Sequence, residues 1–96
     1  MMSLVGRLHE AAHGVSTHGE RVNLLEQGFR GLFDHLGVRW VTCSVIRGRP
    51  DLVLFVELVS ADDIPKLAPW FMAAGLGMGQ VEVSEDRTWM FEVALA

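Results

Sequence analysis

The sequence lacks the features that mark secreted, membrane-spanning and nucleic-acid-binding proteins. Met1 to Ala12 has no sustained apolar segment of the kind found in a secretion signal, and no stretch approaches the roughly 18 consecutive apolar residues of a membrane-spanning helix. The Lys and Arg residues are scattered, and the net charge of -4 argues against a basic face that binds nucleic acid. We therefore expect a cytoplasmic protein that binds neither nucleic acid nor membrane.

Cysteine is nearly absent as well. Cys43 is the single cysteine, so one chain forms neither an internal disulfide nor a metal site built from several thiolates. It lies in a pattern typical of a β-strand, between Thr42 and Ser44, with no adjacent basic residue or helix start to lower its pKa. We expect this thiol to be buried and unreactive.

Hydrophobic residues, in contrast, are plentiful. They make up 50% of the 96 residues, which is enough for one hydrophobic core. No low-complexity segment or linker divides the chain. We predict a single α+β domain in which residues 1–18 form an N-terminal arm and residues 19–96 form the core.

The strongest strand signal is the stretch Asp51 to Val59, with the sequence DLVLFVELV. Because side chains alternate along a strand, it has two apolar faces, made by Leu52, Leu54, Val56 and Leu58 on one side and by Val53, Phe55 and Val59 on the other. Only Glu57 interrupts the second face. A chain of this length covers both faces with difficulty, so we expect the N-terminal arm or a second subunit to cover one of them.

Helical patterns occur before and after this strand. Apolar residues recur every three or four positions from Glu20 to Leu36, as in an amphipathic helix, and Gly37 fits a left-handed C-terminal cap. Residues 60–74 predict a second helix that begins with a capping pattern. Residues 3–13 predict a short helix within the N-terminal arm.

The other segments predict two antiparallel hairpins, formed by residues 38–59 and 81–95. Residues 32–58 and 71–95 resemble each other faintly, which leaves an internal duplication as an open alternative. The predicted order is helix, hairpin, helix, hairpin. We expect a two-layer α+β fold, a four-stranded antiparallel sheet with both main helices on one face.

The segment His9 to His13, HEAAH, matches the H-E-x-x-H pattern of zinc metalloproteases. In that pattern two imidazoles one helical turn apart bind zinc, and the glutamate activates a bound water. His18 and Glu20 are candidates for the third ligand. However, only residues 1–8 precede His9, which leaves no room for the sheet that precedes this helix in those enzymes. We expect His9, His13 and His18 to bind no zinc, and we keep a zinc site as the alternative.

Aromatic and methionine side chains cluster around the end of the second helix. The candidate residues for a ligand or partner site there are Trp70, Phe71, Met72 and Met78. Glu57 is a further candidate, because a carboxylate within an apolar face needs a partner, and we expect Arg39 or Arg47 to supply it. The glycine-rich segment Gly75 to Gly79 follows a helix and precedes a strand, the reverse of a phosphate-binding loop, so we expect only a connection.

No arrangement of residues predicts a catalytic site, so a non-catalytic protein is favoured. We predict a small binding or regulatory module that acts as a homodimer through protein–protein contacts and without a cofactor. A charge in the contact, such as Val53→Lys, is expected to weaken the dimer. Two alternatives stay open: a zinc-binding protein or zinc-dependent hydrolase that uses HEAAH, and a small-ligand-binding protein or enzyme with a pocket between the sheet and the second helix.

Overall fold

The structure, a computed structural model, describes residues 18–47 and 52–95. These residues form two α-helices, a 3-10 turn and five strands. In chain order they are α1 (His18–His35), β1 (Trp40–Arg47), β2 (Leu52–Leu58), the 3-10 turn (Ala61–Asp63), α2 (Ile64–Ala73), β3 (Gly77–Met78), β4 (Glu82–Val83) and β5 (Trp89–Ala94). The predicted α+β class is confirmed. The short helix predicted for residues 3–13 lies outside the described residues.

All strand pairs are antiparallel, and the strand order is β1-β2-β5-β3, with β4 also paired to β5. The sequence predicts four strands, and the additional strand arises at the edge of the sheet. Met78 pairs with Val93 and Glu82 pairs with Met90, so the edge contains one more residue than β5 between these two pairs. This mismatch is the signature of a β-bulge. β3 and β4 are therefore two parts of one interrupted edge strand.

The hydrophobic core lies against one face of the sheet. Directly paired residues of neighbouring strands share a face, and two such rows are buried: Cys43, Val56 and Phe91 in one, and Val45, Leu54 and Val93 in the other. The alternation predicted for β2 is confirmed on this side, where every second residue from Leu52 to Leu58 is buried.

Both described helices pack on this core face. The buried helical residues are Leu25, Phe29, Leu32 and Phe33 of α1 and Leu67 and Phe71 of α2. The centroid of the Phe71 ring lies 6.3 Å from those of Phe29 and Phe33, so the two helices meet through aromatic contacts. Pro69 lies inside α2, which nevertheless continues to Ala73.

Both helices end in the same way, at a glycine in the left-handed conformation. Gly37 and Gly75 each have a φ of 72°, and the prediction that Gly37 caps the first helix is confirmed. The hydrogen bonds that close the two caps run from Val38 N to Phe33 O and from Leu76 N to Phe71 O, both at 2.9 Å. Each cap therefore turns the chain from a helix back towards the core.

The two caps belong to two similar halves. Each half has a helix, an outer strand and a central strand, and β2 and β5 pair with each other in the middle of the sheet. An approximate two-fold axis passes through the pair Phe55–Glu92. Rotation about this axis exchanges the pair Leu54–Val93 with the pair Val56–Phe91. This arrangement favours the internal duplication suggested by the faint sequence resemblance between residues 32–58 and 71–95.

Asp63 joins the start of β1 to the start of α2. The residue is 2% exposed, and its carboxylate accepts hydrogen bonds from Lys66 Nζ at 2.9 Å and from Arg39 N at 3.1 Å. The bond from Lys66, followed by the bond from the Arg39 amide, lowers the pKa of the Asp63 carboxyl. Ser60 caps the 3-10 turn by accepting from Asp62 N, whereas the Asp63 side chain makes no capping bond.

We expect Asp63→Asn to lower the free energy of unfolding at neutral pH by on the order of 1–3 kcal/mol, because hydrogen bonds to a buried charge are lost. A lowered pKa in the folded state stabilises the fold above the unfolded-state pKa of about 3.9, and this contribution disappears as the pH falls through the folded-state value. Urea unfolding should therefore show that the difference between the wild type and the variant shrinks below about pH 4.

Asp62→Asn is the matched control, since Asp62 is the exposed neighbour in the same turn. It should change stability by less than about 0.5 kcal/mol. Equal stability of the two variants at neutral pH would contradict the role assigned to Asp63.

Candidate functional site

The candidate site is the face of the sheet opposite the helices, here called the open face. It consists of three rows of paired residues: Ile46, Val53 and Ala94; Ser44, Phe55 and Glu92; and Thr42, Glu57, Met90 and Glu82. The first row is apolar, and the third contains two carboxylates. The open face therefore changes from apolar to acidic across the width of three rows.

Glu57 is half-buried on this face and is held by hydroxyl groups. Thr42 Oγ1 donates to Glu57 Oε1 at 3.0 Å, and Thr88 Oγ1 donates to Oε2 at 2.5 Å. We expected Arg39 or Arg47 to be the partner of Glu57, but Arg39 instead lies 3.6 Å from the Asp63 carboxylate. Two threonines thus satisfy the carboxylate that interrupts the apolar pattern of β2.

Ser84 extends this network into the turn between β4 and β5. Its hydroxyl lies 2.6 Å from Thr88 Oγ1 and accepts a hydrogen bond from Thr88 N at 3.1 Å. Because the single hydroxyl proton of Thr88 points to Glu57, Ser84 is the donor in the bond between the two hydroxyls. The resulting chain of hydrogen bonds fixes the Glu57 side chain. A carboxylate held in this way is typical of a structural network and not of an acid or base that acts on a substrate.

A groove of about 320 Å³ lies beside this network, between the open face and the interrupted edge strand. It is lined by Phe55, Gly79, Gln80, Glu82, Met90, Phe91 and Glu92. Gly79 N donates to Glu92 O at 2.7 Å, and a Cβ atom at Gly79 would lie 3.1 Å from the same oxygen. The glycine thus permits the close approach of the edge to β5 on which the shape of the groove depends.

The opposite edge of the sheet is covered by side chains of α1. Arg30 Nε donates to the Cys43 carbonyl at 2.9 Å, and the Val45 amide donates to Glu26 Oε1 at 2.9 Å. The Arg30 guanidinium also lies 5.4 Å from the centre of the Trp40 ring. These contacts occupy backbone groups of β1 that another strand would need for pairing.

The four residues predicted near the second helix differ in burial, and a common ligand or partner site there stays a prediction. Phe71 is fully buried in the core, whereas Met72 is 77% exposed. Trp70 and Met78 are partly buried and pack against the core. The groove lies on the other side of the sheet, and the space under α2 holds buried side chains, so a pocket between the sheet and α2 stays a prediction without geometric support.

The zinc site also stays an untested alternative. His9 and His13 lie outside the described residues, and His18 is the first residue of α1. Within residues 18–47 and 52–95, no group of three or more His, Cys, Asp or Glu side chains could hold a metal ion.

Sequence reasoning identified Glu57 but missed the residues around it. Thr42, Thr88 and the groove residues Met90 and Glu92 were not singled out. One signal was present: Met90 and Glu92 alternate with the apolar residues Trp89, Phe91 and Val93, so they lie together on the opposite face of the last strand. The bulge that opens the groove has no such signal.

Comparisons with known proteins add no assignment. No protein-family model matches the chain. Neither the curated proteins nor the solved structures contain a significant match. In the part of the chain that the structure describes, no helix is long and apolar enough to cross a membrane.

Cys43 is fully buried, and burial raises the pKa of its thiol to about 12. We expect the native protein to react with a thiol reagent at neutral pH at least about a hundredfold more slowly than the same protein unfolded in urea, because the thiolate is the reactive form. The rate of labelling measures this difference directly. Labelling of the folded protein as fast as that of the unfolded control would contradict it.

We expect protein purified without added metal to contain well under one zinc ion per chain, because a match to H-E-x-x-H over five residues is by itself a weak indication of a zinc site. The double variant His9→Ala with His13→Ala should unfold at the same temperature as the wild type. Elemental analysis and thermal unfolding with and without a chelator test both statements. Stoichiometric zinc that survives dialysis would overturn them and favour the zinc-dependent alternative.

Proposed function

We propose that this protein is a small, non-catalytic binding module that acts as a homodimer, with the apolar end of the open face as the contact between two copies. The observation that supports the proposal is the position of Ile46, Val53 and Phe55 side by side on a face that neither described helix covers. Ile46 is 42% exposed, Phe55 is partly buried and Val53 is buried, so the exposed part of this apolar patch centres on Ile46. Apolar side chains at the surface of a small domain are typical of interaction sites where they lie together.

The charge distribution on the open face favours a contact centred on Ile46. A two-fold axis beside this residue brings the apolar rows of two copies together, as an isologous interface requires. The same rotation carries Glu57 and Glu92 of each copy away from those of its partner, which avoids burial of like charges. A contact centred on the third row would instead bring carboxylates together.

Contact through the faces is also favoured over pairing through β1. The backbone groups of Cys43 and Val45 are already bonded to side chains of α1. A second copy that added its own β1 there would have to displace Glu26 and Arg30. Such a displacement would leave polar groups of both partners without their present bonds.

The non-catalytic part of the proposal is supported by the Glu57 network. Its carboxylate oxygens bond to hydroxyls of Thr42 and Thr88, so the best-placed acidic group of the open face has a structural role. The thiol of Cys43, a potential nucleophile, is buried in the core.

We expect Ile46→Lys to raise the dissociation constant of the dimer by about tenfold or more. The charged lysine would either be buried in the contact, which is costly, or prevent the two copies from meeting there. Ile46 is 42% exposed, so a lysine can reach solvent in the monomer and the fold should persist. Val53→Lys is a harsher test, since Val53 is only 8% exposed and the substitution is expected to destabilise the monomer as well.

Val59→Lys is the matched control, because Val59 is 46% exposed but follows the end of β2 outside the three rows of the open face. Sedimentation over micromolar to millimolar concentrations measures both variants. A wild-type protein that stays monomeric throughout would refute the homodimer. Equal weakening by Val59→Lys and Ile46→Lys would show that the contact lies elsewhere.

A further inference from the structure

The groove at the acidic end of the open face shares Phe55 with the apolar residues assigned to the dimer, but not Ile46 or Val53. Its floor is formed by Phe55 and Met90, and its rim by the bulged segment from Gly79 to Glu82 and by Glu92. Bulges in edge strands are common beside functional sites, because they redirect side chains and end strand pairing. Here the bulge interrupts the pairing of the edge strand with β5 between Met78 and Glu82.

The charged residues that line this groove are all acidic. Glu82 and Glu92 are exposed, and neither forms an ion pair with any of the described residues. None of the residues that line the groove is basic. Glu57 adds a third carboxylate in the row of Met90. The groove thus combines an apolar floor with unneutralised negative charge at its rim.

This combination complements a side chain that has an apolar stem and a cationic head. An arginine or lysine stem packs on aromatic and thioether groups while its head stays at the polar rim. A guanidinium is the better match for two carboxylates, because its planar donors bond in pairs. An anionic or purely apolar group would leave the carboxylates without a partner.

We propose that the groove binds an arginine or lysine side chain of a partner polypeptide. A polypeptide is favoured over a free amine because the groove is open at the sheet edge, whereas pockets for small molecules enclose most of their ligand. A polypeptide can extend its contacts beyond the groove along the open face. The inference rests on the proposed role as a binding module but does not require the homodimer.

The test uses the full chain and labelled hexapeptides of alternating threonine and arginine, with binding measured by fluorescence anisotropy at low salt. A second peptide carries citrulline, which keeps the shape of arginine without its charge, and free agmatine serves as a competitor of small size. The double variant Glu82→Gln with Glu92→Gln removes the rim charges. Glu85→Gln is the control, since Glu85 is exposed in the adjacent turn and does not line the groove.

We expect the arginine peptide to bind more tightly than the citrulline peptide, and the double variant to lose about tenfold in affinity, as for the loss of one bond between charged groups. Glu85→Gln should have the affinity of the wild type. Amide chemical shifts should change at Gly79 and Glu92 when the peptide binds.

Three results would show that the groove binds no cationic side chain: no binding up to millimolar peptide, equal binding of the citrulline peptide, or equal losses in Glu85→Gln and the double variant. Agmatine that competes as tightly as the peptide would assign the groove to a small amine and refute the polypeptide. Sedimentation of the same samples distinguishes a failure of this inference from a failure of the proposed homodimer. A dimer that persists without peptide binding refutes only this inference, whereas a monomer that still binds the peptide refutes only the homodimer.

Discussion

The described structure depends on the pairing of β2 with β5 at the centre of the sheet. This pairing aligns Leu54 with Val93 and Val56 with Phe91, which gives both helices one apolar surface to cover. Alternation then places Phe55 and Glu57 on the other face. The same strands that build the core therefore also present the open face.

The approximate two-fold relation between the halves explains both what they share and where they differ. When the helices are aligned at their terminal glycines, Glu26 and Arg30 of α1 correspond to Ile64 and Ala68 of α2. Only α1 thus has polar side chains at the positions that bond to an outer strand. In the first half, side chains of α1 bond to the outer edge of β1. In the second half, the edge strand has a bulge and a groove.

Much of the fold could be predicted because its periodic signals are local. The stripe from Glu20 to Leu36, the cap at Gly37 and the alternation of β2 each follow from neighbouring residues. The pairing of Thr42 with Glu57 could not be predicted, because a register shift of one residue reverses the face of every side chain. The bulges each insert a residue that alternation does not reveal, one before Thr42 and one between β3 and β4.

The bonds between α1 and the edge of β1 have a consequence for how large an assembly can become. Growth of a sheet from molecule to molecule into a fibre needs two free edges, so that each copy both accepts and offers a strand. In this chain the contacts of Arg30 and Glu26 occupy the Cys43 carbonyl and the Val45 amide on the edge formed by β1. Two copies that paired through their β3–β4 edges would therefore present only β1 edges on which these two backbone groups are already bonded, and this disfavours further growth of the sheet.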